Sequence, residues 1–538
     1  MHVVQFVPLM QLSPNEQNKM IQITIDHKII EVEEGTLVVK AAREAGIEIP
    51  TMCHDDRLEH FTSCMLCMVK DTVTKRMFPS CSVYAVQGMD VITEDEELKE
   101  TRQIALELLL SEHVGDCEAP CQITCPAHMN IPLMNRLLAD GKFEEALRVV
   151  KNDIALPAVL GRICPAPCEG ACRRKSIDGA VSICLLKRSA GDHDYHYVPK
   201  VALSSESMVA IIGAGPSGLS AAYYLQLKGH QCVVFEKNAL PGGSLLTAYS
   251  DDLLPKDILQ KEISLIEETG VTFELNHPIY HEEFSRMLEV FDSVLIACGK
   301  DEKDITSWGI DLSTNGIKIE KKIFQTNIEK VFATGNAVKP SKLAIQSLGQ
   351  GKEAAYSIDQ FLRKQALTGE PERFNSRFGK LFDTEHSEYL KESLPYSRIE
   401  PTRSKAKGFT DEEVKKEAAR CLHCDCRKLD SCKLRQYAEL YTANQKHFAY
   451  DERKAVQKHI QHDTVIYEPT KCIKCGICVR LTSKYKEKYG LAFIGRGFDV
   501  LIGVPFNEDL KQGLTETAEM VANACPTGAL SLKNKSTS

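Results

Sequence analysis

The stretch MVAIIGAGPSGLSAAYYLQLKGHQCVVFEK, residues 208–237, decides how the rest of the chain is read. An apolar run enters a glycine turn, a helix-forming segment follows, and a second apolar run closes on Glu236 and Lys237. Gly213 permits the tight turn, Gly215 lets the backbone approach a pyrophosphate, and Gly218 allows a helix to pack on a strand. The helix N-terminus adds its partial positive charge, and Glu236 is placed to hold a ribose hydroxyl. The expectation is a Rossmann-like strand-helix-strand unit that binds a dinucleotide.

Two later motifs select which dinucleotide. LPGGSL, with Gly242 and Gly243, and VFATGNAV, with Gly335 and Asn336, resemble the later motifs of two-dinucleotide flavoproteins, which implies FAD. Those proteins commonly have Asp where Asn336 stands; Asn keeps an acceptor for a ribityl hydroxyl and drops the charge. In LIACGKDEKDITSWGI, residues 295–310, the strand ends at Gly299, where such proteins pass into a nicotinamide-binding domain. Only about 30 residues separate Gly299 from Val331, and a domain needs on the order of 100. The expectation is an FAD domain lacking the NAD(P) insertion domain.

At 538 residues the chain is long enough for several domains. A net charge of −8 offers no basic face for a phosphate backbone, which excludes nucleic acid as a partner. The densest apolar run, IALELLL at 104–110, is far short of the ~20 residues of a membrane span. The first residues lack a cationic start and a small-residue cleavage site, so the cytoplasm is expected. In that reducing compartment 21 cysteines point to metal ligation or redox chemistry. Cys232 and Cys298 alone lie inside apolar strand patterns away from the groups, and read as core residues.

From Met20 the pattern gives two alternating strands turning at Asp26 and His27, then an amphipathic helix ended by Gly46. Cys53, Cys64, Cys67 and Cys81 follow as C-x10-C-x2-C-x13-C. Four thiolates suit a [2Fe–2S] centre; zinc is the alternative, though zinc ribbons favour two separated C-x2-C knuckles. The spacing resembles the ferredoxin-like domain that opens the large iron–sulfur subunit of respiratory complex I and of multi-subunit hydrogenases, over about the first 110 residues.

Next come His113, Cys117, Cys121 and Cys125, then Cys164, Cys168 and Cys172 in ICPAPCEGAC. These six cysteines cannot complete two cubane clusters of four ligands each, so further donors are required. His113 and Cys184 are the nearest, against the plain readings of a helix-end histidine and a core thiol; neutral imidazole is an acceptable donor that raises cluster potential. APCQITCP, GRICPAPCEGAC and GAVSI resemble the N-terminal region of the glutamate synthase small subunit and of dihydropyrimidine dehydrogenase. That resemblance implies two interlaced [4Fe–4S] clusters, Cys117, Cys121 and Cys172 on one, Cys125, Cys164 and Cys168 on the other. The chain departs from it in having no cysteine just before Cys117, with His113 four residues upstream as in the complex I pattern H-x3-C. Where the family completes the second cluster with Gln or Glu stands Lys187, which has no acceptor while charged, so Cys184 is the substitute.

Beyond residue 370 the chain turns polar and irregular, with Pro395 and Pro401, and reads as a linker up to TDEEVKKEAARC, a helix with Thr410 as N-cap and acids in its first turn. CLHCDCRKLDSC then supplies Cys421, Cys424, Cys426 and Cys432, compact enough to wrap one metal centre. A [4Fe–4S] cluster is expected there, with zinc as the alternative. YEPTKCIKCGICVRL supplies Cys472, Cys475 and Cys478, with Cys525 of NACPTGAL as remote fourth ligand, and looks like a bacterial-ferredoxin half-site. Leu481 stands where a two-cluster run has its fourth cysteine, so one cluster is expected.

The expected architecture is multidomain α+β and α/β: a β-grasp [2Fe–2S] domain at 1–100, a helical double [4Fe–4S] domain at 101–200, the FAD domain at 207–370, a linker at 371–420 and a C-terminal ferredoxin-like domain at 421–538. The tandem resembles the large electron-transfer subunits of soluble NAD-linked complexes, including electron-bifurcating hydrogenases and transhydrogenases. It implies one [2Fe–2S], three to four [4Fe–4S] and FAD, no catalytic acid, base or nucleophile, and as partners an NAD/FMN diaphorase subunit, a hydrogenase or formate dehydrogenase subunit, and ferredoxin. Two other readings are a stand-alone NAD(P)H oxidoreductase and a scaffold with structural metal sites.

Overall fold

The structure is a computed structural model, and it describes residues 19–193, 195–300, 305–404, 406–449 and 452–533. The chain folds into two compact units. The first comprises residues 1–117, 374–378 and 426–538; the second comprises 118–373 and 379–425. The first unit is thus built from three separate stretches of chain and the second from two, with residues 374–378 passing back through the first.

The first unit opens with a five-stranded mixed sheet of β1 (Met20–Ile25), β2 (Lys28–Glu33), β3 (Met68–Asp71), β4 (Met77–Pro79) and β5 (Asp90–Ile92), in the order β2-β1-β5-β3-β4. β1 and β2 form the expected hairpin, paired from Met20↔Glu33 to Ile25↔Lys28, and its turn residues Asp26 and His27 both have positive φ, as a two-residue primed turn requires. The short helix Val38–Glu44 buries Val38, Val39, Ala41 and Ala42 on the sheet. Helix Glu96–Ser111, capped by Asp95, carries the buried Arg102, whose guanidinium donates to the carbonyls of Leu66, Met68 and Thr93. That single side chain fixes the loop bearing Cys64 and Cys67. Nearer the C-terminus, strands Val465–Tyr467 and Leu530–Leu532 pair antiparallel over helices Ile477–Lys484 and Ala518–Ala524.

The second unit contains a parallel sheet of β6 (Met208–Ile212), β7 (Gln231–Phe235), β8 (Thr272–Glu274), β9 (Ser293–Ile296) and β12 (Val331–Ala333), ordered β12-β9-β6-β7-β8. Every residue of β9 and β12 is buried, as a parallel strand covered on both faces must be. Between them the described residues form a 3-10 turn at Thr306–Trp308 and a small hairpin, β10 (Leu312–Ser313) with β11 (Gly316–Ile317). Residues 301–304 of the LIACGKDEKDITSWGI stretch lie outside the described residues.

Helices fill the region before the sheet. Pro157–Ile163 and Ile183–Asp192 approach so closely that a Cβ on Gly161 would collide with Arg188 and one on Gly191 would stand 2.6 Å from the Ala158 nitrogen. This contact sets Cys164 and Cys184 side by side. The stretch expected to be a linker is mostly irregular up to helix Asp411–Ala418, which has the full Thr410–Glu413 capping box and whose buried Glu417 accepts from the Ser182 and Ile399 amides. No described helix is long and apolar enough to cross a membrane.

Candidate metal centres and dinucleotide site

The cysteines gather in groups, and the grouping differs from the sequence order. In the first unit Cys53, Cys64, Cys67 and Cys81 are all buried on the loop and strands around β3 and β4. They converge: the Cys53 and Cys64 sulfurs are 3.4 Å apart, and Cys81 lies against both Cys53 and Cys67. The Cys64 hydrogen bond drives the Cys53 thiol far down.

Cys472, Cys475 and Cys478 line an apolar hollow with Cys525, closed by Tyr467, Ile477, Ile502, Pro526 and Leu530. Gly476, with φ +72°, turns the chain between two of them. Leu481, in the place of a fourth cysteine, is fully buried in the core. Burial pushes the Cys472 thiol up to about 11.

The compact run Cys421–Cys432 does not act as one group. Cys421 and Cys424 belong to the second unit and line a hollow with Cys121 and Cys172, alongside Pro120, Asn135 and Ile183. Cys426 and Cys432 belong to the first unit with Cys117. There the Cys426 amide donates to the Cys117 carbonyl at 2.9 Å, the Ser376 amide approaches the Cys117 sulfur at 3.4 Å, and the Cys432 thiol feels both Cys426 and Cys117. Asp425, the last residue of the second unit before Cys426, is held there by the Arg136 guanidinium at 2.7 and 3.0 Å. Among the described residues no three His, Cys, Asp or Glu side chains close on the position of a single metal ion.

His113, four residues before Cys117, shares Lys471 with it as a neighbour. Its Nδ1 is buried and finds no hydrogen-bond partner, and burial, with the nearby Lys471, holds its pKa down to about 4. The imidazole is therefore neutral with a free lone pair, the state in which it ligates metal. Lys471, paired with Glu468 at 2.7 Å, also faces Cys117, and a Cβ on Gly528 would collide with the Cys426 sulfur.

Cys125, Cys164, Cys168 and Cys184 form the last set, in the second unit. A hydrogen bond from Cys184 draws the Cys164 thiol down to about 6, while burial pushes Cys168 up to about 12. The Cys184 amide donates to Glu169 at 3.0 Å. Cys117 falls in the first unit, whereas Cys121 and Cys172, with which the resemblance grouped it, fall in the second. Lys187, dismissed as a ligand on sequence, is buried among the Cys125 set.

The dinucleotide motifs converge on the N-terminus of helix Pro216–Leu227. Gly213 has φ +107°, and a Cβ there would stand 2.7 Å from the Ala297 carbonyl oxygen. A Cβ on Gly218 would collide with the Gly213 carbonyl, and one on Gly243 would stand 2.8 Å from the Gly215 Cα. Gly335 is pressed equally hard on Ser217, whereas a Cβ on Gly215 would meet open space within 4 Å, where a phosphate needs room. Glu236 is buried; it accepts from the Ala214 amide at 2.9 Å and from Asn238, beside a hollow lined by Lys237, His277, Cys298 and Trp308. The Asn336 Oδ1 accepts from the Ser341 amide at 2.8 Å, which fixes the side chain on its turn and leaves a second lone pair. Gly299 has φ +80° at the end of β9 and open space around it. Gly242 is held against Leu246 and Leu259. Cys232 is a buried strand thiol, as expected.

Donor chemistry and glycine cradle together fit iron–sulfur clusters and a dinucleotide, and comparison with known proteins agrees on the class. The model for a 2Fe-2S iron-sulfur cluster binding domain matches residues 18–96, and that for dihydropyrimidine dehydrogenase domain II, 4Fe-4S cluster, matches 108–198. An NAD(P)-binding Rossmann-like domain matches 211–274, and the ferredoxin-like domain of NADH-quinone oxidoreductase subunit 3 matches 462–531. The chain is a mixed α/β multidomain protein that matches iron–sulfur and Rossmann-like domains.

Among its relatives are the NADPH-Fe(3+) oxidoreductase subunit beta of Geobacter sulfurreducens, 37% identical over 190 residues, 34% of this chain and 28% of that one. The NADP(+)-dependent formate dehydrogenase subunit beta of Moorella thermoacetica is 36% identical over 207 residues, 34% of this chain and 29% of that one. The glutamate synthase [NADPH] small chain of Bacillus subtilis is 33% identical over 214 residues, 36% of this chain and 43% of that one. The chain thus spans less than half the length of each. A crystal structure of an NAD+-reducing [NiFe]-hydrogenase aligns over 96% of this chain and 90% of that one, at 12% identity and a TM-score of 0.35.

Proposed function

We propose that this chain is an electron-transfer subunit of a multi-subunit NAD-linked oxidoreductase. It holds one [2Fe–2S] cluster on Cys53, Cys64, Cys67 and Cys81, four [4Fe–4S] clusters, and FAD. The [4Fe–4S] ligand sets are His113 with Cys117, Cys426 and Cys432; Cys121, Cys172, Cys421 and Cys424; Cys125, Cys164, Cys168 and Cys184; and Cys472, Cys475, Cys478 and Cys525. The division of the thiols into sets of four carries this reading.

When bound, the clusters supply one-electron chemistry and the flavin two-electron storage. The residues of the chain bury and order these groups. Tyr249, a few residues beyond Gly243, lies near Cys164, and a Cβ on Gly349 of helix Ala344–Leu362 would stand 2.5 Å from the Pro126 carbonyl, so the Cys125 set abuts the Rossmann fold. Cys424 and Cys426 are two residues apart, so the covalent chain alone keeps their Cα atoms within ~7 Å.

The small β10–β11 hairpin supports an FAD that meets no nicotinamide domain of its own. Electrons then come from an NAD/FMN diaphorase subunit and pass to a formate dehydrogenase or hydrogenase subunit, with ferredoxin as a further carrier in a bifurcating complex. Anaerobically isolated chain should carry about eighteen iron atoms, from one [2Fe–2S] and four [4Fe–4S]. Its flavin should stay oxidised when mixed with NADH or NADPH and bleach with dithionite. Rapid bleaching by either nicotinamide would overturn the proposal in favour of a stand-alone oxidoreductase.

A further inference from the structure

We propose that Lys187 is a fixed positive charge built against the Cys125, Cys164, Cys168 and Cys184 set, and that it raises the reduction potential of the centre held there. The inference rests on the reading that those four thiols hold an iron–sulfur cluster.

Helix Ile183–Asp192 carries Cys184 and Lys187 three residues apart, which places both side chains on one face. Lys187 is 4% exposed, on the helix whose Cys184 sulfur lies 3.6 Å from the Cys164 carbonyl oxygen, and the sulfurs of Cys184, Cys164, Cys125 and Cys168 surround it. A buried ammonium is costly unless something negative answers it. The acid on the neighbouring turn is already engaged: Glu169 accepts from the Cys184 amide at 3.0 Å and pairs with Arg398 at 3.1 Å. Lys471, the buried lysine near Cys117, differs in having its own carboxylate, Glu468, at 2.7 Å. Lys187 is therefore balanced by the sulfur site itself.

Reduction adds one electron to a cluster; no bond forms or breaks, and the donor in the assay is dithionite through mediators. The added negative charge is stabilised by a cation already in place in a low-dielectric surrounding, so the reduced state is favoured. No proton need accompany the electron.

Lys187→Gln removes the charge and keeps much of the length; Lys187→Arg keeps the charge. The full chain of each is purified anaerobically, its iron counted, and its EPR signals titrated against potential. In K187Q one [4Fe–4S] signal should lose at least about tenfold in its reduction equilibrium, a fall of ~59 mV for one electron. K187R should hold that signal near its original midpoint, and iron should be unchanged in both. Unmoved midpoints in an iron-replete K187Q overturn the proposal. If K187Q loses about four iron atoms, Lys187→Met is titrated in its place. Loss of the same iron from K187M also overturns the proposal, because Lys187 then holds the site together rather than tuning it. Cys168→Ser separates the two readings: if it removes no EPR signal, the ligand set itself is wrong, whatever K187Q shows.

Discussion

Exchanging Cys424 and Cys426 for serine, singly and together, tests the division of the CLHCDCRKLDSC run. The two residues are separated only by Asp425, and a single compact centre would lose the same cluster from either variant. The structure instead lines Cys424 up with Cys121, Cys172 and Cys421 around one hollow, and seats Cys426 against Cys117 and beneath Gly528. Each serine leaves a different centre short of a ligand, so each single variant should lose about four of roughly eighteen iron atoms, and the double about eight. Metal binding is folding energy for such sites, so a lower thermal midpoint should accompany each loss. Iron analysis and low-temperature EPR of the dithionite-reduced chain read the outcome. C424S should extinguish the signal that Cys172→Ser extinguishes, and C426S the one lost in Cys117→Ser. The reasoning is refuted if C424S and C426S remove one and the same signal and the double variant loses no more iron than either.

Two further perturbations follow from the same geometry. His113→Cys replaces a neutral nitrogen donor by a thiolate at the buried, unpartnered Nδ1 position, and should lower one cluster's midpoint by tens of millivolts, on the order of the 59 mV per tenfold of a one-electron couple; EPR-monitored titration checks it, and unchanged midpoints would remove His113 from the ligand set. Arg420→Ala strips the buried guanidinium from Glu417 at 2.8 Å and Asp178 at 3.0 Å, next to Cys421. Leaving the Glu417 carboxylate buried should cost about 3–5 kcal/mol in urea unfolding, together with the EPR signal assigned to Cys421.

What the sequence made legible was whatever is local in the chain. The Asp26-His27 turn, the Thr410 cap, the glycine fingerprint closed by Glu236, and the C-x2-C-x2-C run at Cys472 each depend on neighbours within a few residues, and each motif lies where its pattern put it. What the sequence hid was long-range partnership. Spacing joins Cys421 to Cys426 because only four residues separate them, but the fold assigns cysteines by unit, and the unit boundary falls inside that run. The signal for it was arithmetical: the helical segment lacked donors for two clusters, while the four thiols three hundred residues on were read as a centre of their own. Asn336 and Lys187 were noticed as departures, yet their roles depend on Ser341 and on four converging sulfurs, which no periodicity reports.

The interleaving of the two units along the chain also sets an order of assembly. The [2Fe–2S] thiols close a loop of roughly 30 residues, costing about 3 kcal/mol of chain entropy, whereas Cys117 and Cys426 close one of roughly 300, costing about 5 kcal/mol. The second unit supplies most of the residues in that larger loop, so its folding shortens the free chain that must close before the Cys426 amide meets the Cys117 carbonyl at 2.9 Å. A fault in the dinucleotide cradle should therefore reach a centre in the other unit. Gly218→Val is such a fault: a side chain there runs into the Gly213 carbonyl, and overpacking of this kind costs about 1–3 kcal/mol or more. The variant should lose its flavin, the two clusters of the second unit and the His113–Cys117 cluster, while the signals assigned to Cys53 and to Cys472 persist. Survival of the His113–Cys117 signal in protein lacking flavin and both second-unit clusters would show that the long loop closes unaided, and that the interleaving does not govern assembly.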